Sequence, residues 1–456
     1  MKASNSDIRR PRLGAGRKAM RQAWLLLVGA LLLPFLAAGT ASAQVSGTNS
    51  SYSRFGLGLL NDQSSGFNKS MGGAGLGVRI GNRINNLNPA SYSSIDSLSL
   101  IFDVGMTASF GRMVQGSTTV GAKNASLDYV HAGMHIGRGL GLALGFVPYT
   151  SIGYDFSSPE QTIDRDANST LPITGSTSYT GSGGLNQFYA GLGWKAFKNF
   201  SVGANVGFLW GGWNHLLLPV FSEGGVVSSS YNSLIKSSSA SLKTYKIDLG
   251  AQYSVRLTKQ DWLNIGATAG IGHKIAQDAT LLIFTQNADT TTRTASSPFS
   301  LPFTFGAGAA WQHKNTLVVA ADVQHEWWSK CRVPSETVGD YVPMKGYYDD
   351  RTKIAAGAQW TPDPLHKSYL KRIQYRAGFS YSTPYLKVDN MKGPMELRLT
   401  MGAGLPIMNR HNNRSVVNVG VQWLRRSASG LIKEDYFLIN LGITFNERWF
   451  LKYKIE

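Results

Sequence analysis

The chain has 456 residues, a formal net charge of +18 and a single cysteine, Cys331. One cysteine excludes an intrachain disulfide. Lys and Arg are dispersed through turns and strand faces, with no basic stripe carrying stacking aromatics, which argues against nucleic-acid binding. The low charged fraction of 16%, with 51 Gly and 19 Tyr, favours a membrane barrel of glycine-bent strands and interfacial aromatics.

Residues 1–43 read as a secretory signal peptide. Lys2, Arg9, Arg10, Arg12, Arg17, Lys18 and Arg21 form a basic start, 23–39 is an apolar run, and Ala41-Ser42-Ala43 is a small-residue cleavage site. The predicted mature start is Gln44. The segment holds seven basic residues and one acid, Asp7, so the remainder keeps +12 of the +18. No later stretch reaches the ~18 apolar residues of a transmembrane helix. An exported chain without a helical span is either soluble or a barrel. The mean hydropathy of −0.13 does not separate the two, because a barrel's alternation averages out.

Residues 44–96 are rich in Gly, Asn and Ser and lack long alternation. Fourteen candidate strands follow, at about 97–110, 125–137, 139–155, 185–195, 200–213, 240–256, 261–275, 300–312, 316–328, 351–361, 371–382, 395–407, 415–426 and 435–445. Each puts apolar residues on one face and small or polar residues on the other. In the last, Phe437, Ile439, Leu441, Ile443 and Phe445 alternate with Tyr436, Leu438, Asn440, Gly442 and Thr444. Short connections follow most even-numbered strands and longer ones follow strands 3, 5, 7, 9 and 11, as in barrels with short periplasmic turns and long outer loops. The turn after strand 10, with Pro362 and Pro364, is longer than its class. Asp103, Lys246, Asp248, Asp322, Lys353, Arg376, Glu396 and Arg398 fall on the non-apolar face, which in a barrel is the lumen.

The expected architecture is all-β: a 14-stranded antiparallel transmembrane β-barrel over 97–445, preceded by a separate N-terminal segment over 44–96. Residues 446–456 form a periplasmic tail or sorting signal, or contain the true last strand. Localisation in the outer membrane of a Gram-negative cell follows.

Gly72-Gly73-Ala74-Gly75-Leu76-Gly77, then Asn88-Pro89-Ala90 just ahead of the first strand, resembles the FadL/TodX (OmpP1-type) family of outer-membrane transporters. The resemblance covers nearly the whole mature chain. It implies that 44–96 folds into the barrel lumen as a hatch, with its motif at Gly72, Gly73, Gly75, Asn88, Pro89 and Ala90, and passive uptake of a hydrophobic small molecule, fatty-acid-like or aromatic. It also implies lateral exit beside a break in strand 3, where Pro148 and Gly153 lie. Pro cannot donate a ladder hydrogen bond, so Pro148 marks an edge, bulge or break. Trp213, Leu216, Leu217, Leu218 and Phe221 after strand 5, with Leu282 and Phe284 after strand 7, resemble the family's external hydrophobic groove. Packing on one another, or strands extended above the membrane, would explain them equally. Arg376 and Arg398 could hold a ligand carboxylate, or pair with Glu396 or the hatch. The alternative function is a non-transporting FadL-like barrel, an accessory or shuttle component of a secretion or assembly machine. Expected partners are therefore outer-membrane lipid, a hydrophobic ligand and, in the alternative, machinery proteins.

No catalytic, metal or cofactor site is expected. His131 and His135 share a strand face but stand ~13 Å apart, too far for one metal. His325-Glu326 is the only adjacent His–acid pair and lacks a nucleophile, so the chain reads as a non-enzyme.

Overall fold

A computed structural model describes residues 48–164, 173–227, 233–285, 290–407 and 415–448. The expected signal peptide and the last eight residues of the expected tail lie outside them. Fourteen strands form the wall: β1 (Ser99–Gln115), β2 (Thr118–Gly137), β3 (Leu140–Pro148 and, after an interruption, Thr150–Ser157), β4 (Ile173–Trp194), β5 (Phe200–Glu223), β6 (Ile235–Arg256), β7 (Asp261–Gly270), β8 (Thr304–His313), β9 (Leu317–Glu326), β10 (Arg351–Trp360), β11 (Gln374–Ser382), β12 (Met395–Pro406), β13 (Val416–Ser427) and β14 (Lys433–Arg448). Each pairs antiparallel with the next, and β14 pairs back to β1 from Ser99↔Arg448 to Val114↔Lys433, closing the barrel. Among the described residues no helix is long and apolar enough to cross a membrane.

The alternation sorts as a lipid-facing barrel requires. Met106, Phe188, Val206, Phe305, Met401 and Leu441 are exposed on the outside, whereas Asp103, His131, Gln252, Arg376 and Thr400 are buried within. Trp194, Trp311, Trp360 and Tyr375, near the short-turn end, are all exposed in the manner of an interfacial girdle.

Several strands run further than the sequence pattern indicates. β2 starts at Thr118, β4 at Ile173 and β6 at Ile235, while β5 continues to Glu223 and β14 to Arg448. The added length is mostly at the long-loop end, where Ser, Thr and Gly predominate. Above the lipid both strand faces meet water or loop, so the apolar-out signal stops while backbone pairing continues. β7 is shorter than expected, ending at Gly270; the chain then returns as Ala279–Phe284 to pair with the upper part of β6.

Residues 48–98 lie inside the barrel. Phe67, Met71, Leu76, Ile84, Ala90 and Tyr92 are almost completely buried there. The wall makes room with glycine: a Cβ on Gly378 would lie 2.2 Å from the Met71 carbonyl carbon, and one on Gly203 2.4 Å from that of Pro89. Gly72 meets both demands at once, with a left-handed φ of +68° and the Phe379 oxygen 2.3 Å from where a Cβ would stand.

Candidate functional site

The hatch motif docks against the wall by its backbone. Gly75 and Leu76 donate their N–H groups to one oxygen of Asp322 on β9 (2.5 and 2.9 Å), and Gly72 N donates to Thr400 Oγ1 on β12 (2.9 Å). Gly73 faces the Lys353 amine. Asn88 caps the short 3-10 helix Pro89–Ser94, its Oδ1 accepting from Ala90 N at 3.1 Å. The Asn88 Nδ2 donates to Leu76 O (2.8 Å) and to Ala251 O on β6 (3.2 Å). These residues hold a buried plug in place.

The wall breaks where Pro148 stands. β2 and β3 pair only from Val130↔Phe146 down to Gly137↔Leu140. Above that level the hatch fills the space beside β3. Leu59 and Leu60 pair as a two-residue strand with Ser151 and Thr150, and Asn61 N donates to Tyr149 O at 3.0 Å. Gln63 Nε2 donates to Pro148 O (2.8 Å). Ser53 Oγ both accepts from Gly153 N (3.1 Å) and donates to Gly153 O (3.2 Å). The residues read as a lateral opening thus border a break that the hatch occupies.

The outer half of the lumen is filled by one apolar cluster that joins the hatch, the upper strands and the outer loops. It includes Tyr52, Leu57, Trp213, Leu281, Phe299, Trp328 and Tyr348. Trp213 belongs to this interior, with Nε1 donating to Gly56 O at 2.8 Å. The other residues read as an external groove are strand residues. Leu216, Leu217, Leu218 and Phe221 pair within β5, and Leu282 and Phe284 pair with Ser237 and Ile235 of β6. Pairing above the membrane puts these apolar residues on an extended wall instead of in an irregular loop.

Between hatch and wall lies a cavity of about 160 Å³ bordered by Asp62, Lys246, Asp248, Glu326, Arg351, Lys353, Glu396 and Arg398. Its four acids and four bases balance. Arg398 bridges Asp62 of the hatch (2.5 Å) and Glu396 of its own strand (2.9 Å). Arg351 pairs with Glu326 at 2.9 Å, and Lys246 with Asp248. Glu396 also meets Arg426 at 3.2 Å, which leads to buried Glu434 and, through it, to Ser50 of the hatch. Burial raises the Asp62 pKa, but Arg398, Lys353 and Lys69 outweigh it and hold the carboxyl well below its usual range. Arg376 stands apart from this network and donates to the amide oxygens of Gln359, Gln374 and Asn418.

Of the sequence-predicted residues, the structure brings Arg398 and Glu396 together with the hatch by ion pairs, and Arg376 shares Gln359 and Gln374 with Arg83 of the hatch. Asp62, Ser50, Ser53 and Glu434 escaped the sequence reading. Asp62 had a signal, being one of two acids in 44–96, the other Asp96. His131 is buried against Tyr189 and Tyr129, and Glu326 turns from His325 to Arg351 and Trp328. Among the described residues no three His, Cys, Asp or Glu gather as a metal site.

The fold is that of FadL-like outer-membrane barrels. The Pseudomonas putida toluene transporter TodX superposes with a TM-score of 0.55 at 16% identity, over 86% of this chain and 99% of that one. The Ralstonia pickettii toluene transporter TbuX gives 0.54 at 16%, over 84% and 98%. A Pseudomonas aeruginosa FadL homologue gives 0.57 at 12%, over 84% and 98%. No curated protein sequence matches significantly. At the sequence level the model of one family, BamG, matches residues 27–456. The chain shares its fold with the FadL-like channels and belongs to the BamG family.

Proposed function

We propose that this chain is a closed FadL-like barrel serving as a component of an outer-membrane protein-assembly machine, where it holds partner proteins and does not conduct solutes. One observation carries the reading: the hatch is bonded into the wall break while the lumen above it is filled by packed side chains. The remaining cavity is lined by paired charges, which suits neither a fatty acid tail nor an aromatic hydrocarbon. Membership of the BamG family points to the same assembly-machine context.

A second reading is favoured by the wall break itself and by the names of the solved neighbours. In it, a hydrophobic small molecule enters from outside, the Leu59–Leu60 strand swings away, and the molecule leaves beside Pro148 and Gly153. Purification in mild detergent separates the two. Stoichiometric partner proteins are expected, together with unchanged uptake of a hydrophobic tracer when residues 48–61 are deleted or Pro148 is changed to Ala. An isolated barrel with hydrophobic density in its lumen, and tracer uptake that responds to either change, would reverse the choice.

A further inference from the structure

The wall break creates two strand edges, and the hatch covers the lower part of one of them. The upper segment of β3 pairs with β4 over Ile152–Ser157, while Leu59–Leu60 pair with its first two residues and Ser53 bonds Gly153. β2 rises beside it over residues 118–129. There it pairs with β1 alone, from Gly105↔Tyr129 to Gln115↔Thr118. Among the described residues, no strand pairs with the other edge of this stretch. Part of it stands at membrane depth. Leu127 lies opposite Met106 and Lys123 opposite Phe110, and both β1 residues are on the lipid face. The side-chain nitrogen of Asn124 is buried without a hydrogen-bond partner.

Unpaired backbone N–H and C=O groups are not tolerated facing lipid, and exposed strand edges recruit other strands. A hydrocarbon crossing the break cannot supply hydrogen bonds. A second extended chain can, because it offers donors and acceptors at strand spacing. We propose that the upper edge of β2, residues 119–127, docks an extended strand of a partner protein, which continues the wall by β-augmentation. The partner segment is apolar on its lipid side apart from one acidic residue that meets exposed Lys123. This deepens the assembly-machine reading and rests on it.

Amide hydrogen exchange tests it, on the full-length barrel alone in phosphatidylcholine nanodiscs and on the complex purified in mild detergent. In the isolated barrel, alternate amides of 119–127 should exchange at least ~100-fold faster than those of 130–136, and in the complex they should slow by a similar factor. Adjacent residues aim their N–H groups at opposite edges. Of Asn124→Pro and Ala125→Pro, one should therefore break the β1 ladder, and the other should leave the barrel folded while releasing the partner. Full protection in the isolated barrel overturns the proposal, as does equal slowing by toluene or by a second copy of the chain. If partners copurify but these amides stay fast, the docking edge alone falls. If none copurify, the assembly-machine reading falls with it.

Discussion

Replacing Arg398 by Ala removes the cation that ties the hatch to β12. Asp62 and Glu396 would then face each other's field with Lys353, Lys69, Arg351 and Arg426 as the remaining cations. The side chains of Arg398 and Asp62 are 12% and 10% exposed, so solvent screening discounts the pair little. Breaking a buried pair from one side costs about 3–5 kcal/mol, and the cavity beside this one admits water, which favours about 3 kcal/mol. That corresponds to roughly a 150-fold more populated undocked hatch. Amide exchange over 64–76 reads this opening directly, with 130–136 as the barrel reference. Asp62→Asn should cost less, about 1–2 kcal/mol, because Arg398 keeps Glu396. Adding it to Arg398→Ala should recover part of the loss. Hatch exchange within threefold of the wild type in Arg398→Ala would refute the lock. So would an Asp62→Asn variant more open than Arg398→Ala.

The pH dependence of the same lock follows from its sign. Asp62 is held below its usual range, so its stabilisation is present above the unfolded value of ~3.9 and is lost as pH falls through the lower folded value. Hatch exchange, corrected for intrinsic rates, should be flat from pH 5 to 8 and rise only in strongly acid solution. Burial pushes the Cys331 thiol up to about 11, with Asp350 adding to the rise and Ser300 opposing it. A maleimide should therefore leave Cys331 unlabelled at pH 7 until the outer loops are denatured. Its stabilising contribution is complete below the ordinary thiol value of ~8.5 and fades as pH climbs to 11. Gly378→Val drives a side chain into the Met71 backbone and should cost about 3 kcal/mol, read as protease cleavage of the hatch in a barrel that still resists SDS unheated. Asn88→Ala removes a cap and two carbonyl contacts and should loosen the hatch by about 2 kcal/mol in the same assay.

The barrel was legible because lipid imposes one rule on every strand at membrane depth. Phe437, Leu441 and Phe445 announce it without any help from their neighbours. Trp213 and Leu216–Leu218 left a groove and an extended strand equally open, because apolar residues beyond the membrane obey no such rule. Only pairing partners far along the chain show that they are strand residues, and that Trp213 points inward. Pro148 stands beside the end of β2–β3 pairing, and its missing N–H is a local property readable from sequence. What fills the break was not legible: Leu59 and Leu60 are two ordinary apolar residues, and their pairing with Ser151 and Thr150 is a fact of the folded lumen. Arg398 and Glu396 were readable as lumen charges from strand parity, whereas their shared partner Asp62 sits in a segment with no periodicity to place it.

The N-terminal end of the hatch also reports on the far end of the chain. Ser50 donates to Glu434 at 2.5 Å and Tyr52 to the Ile432 carbonyl, both at the entrance to β14. Glu434 in turn needs Arg426 of β13. None of these bonds can form until the last hairpin has been laid against the rest, although the hatch is made before any of the wall. This end of the hatch therefore reaches its final place only once β13 and β14 have been laid down. A barrel missing its last hairpin should then leave residues 50–52 open to protease, and a finished one should hide them.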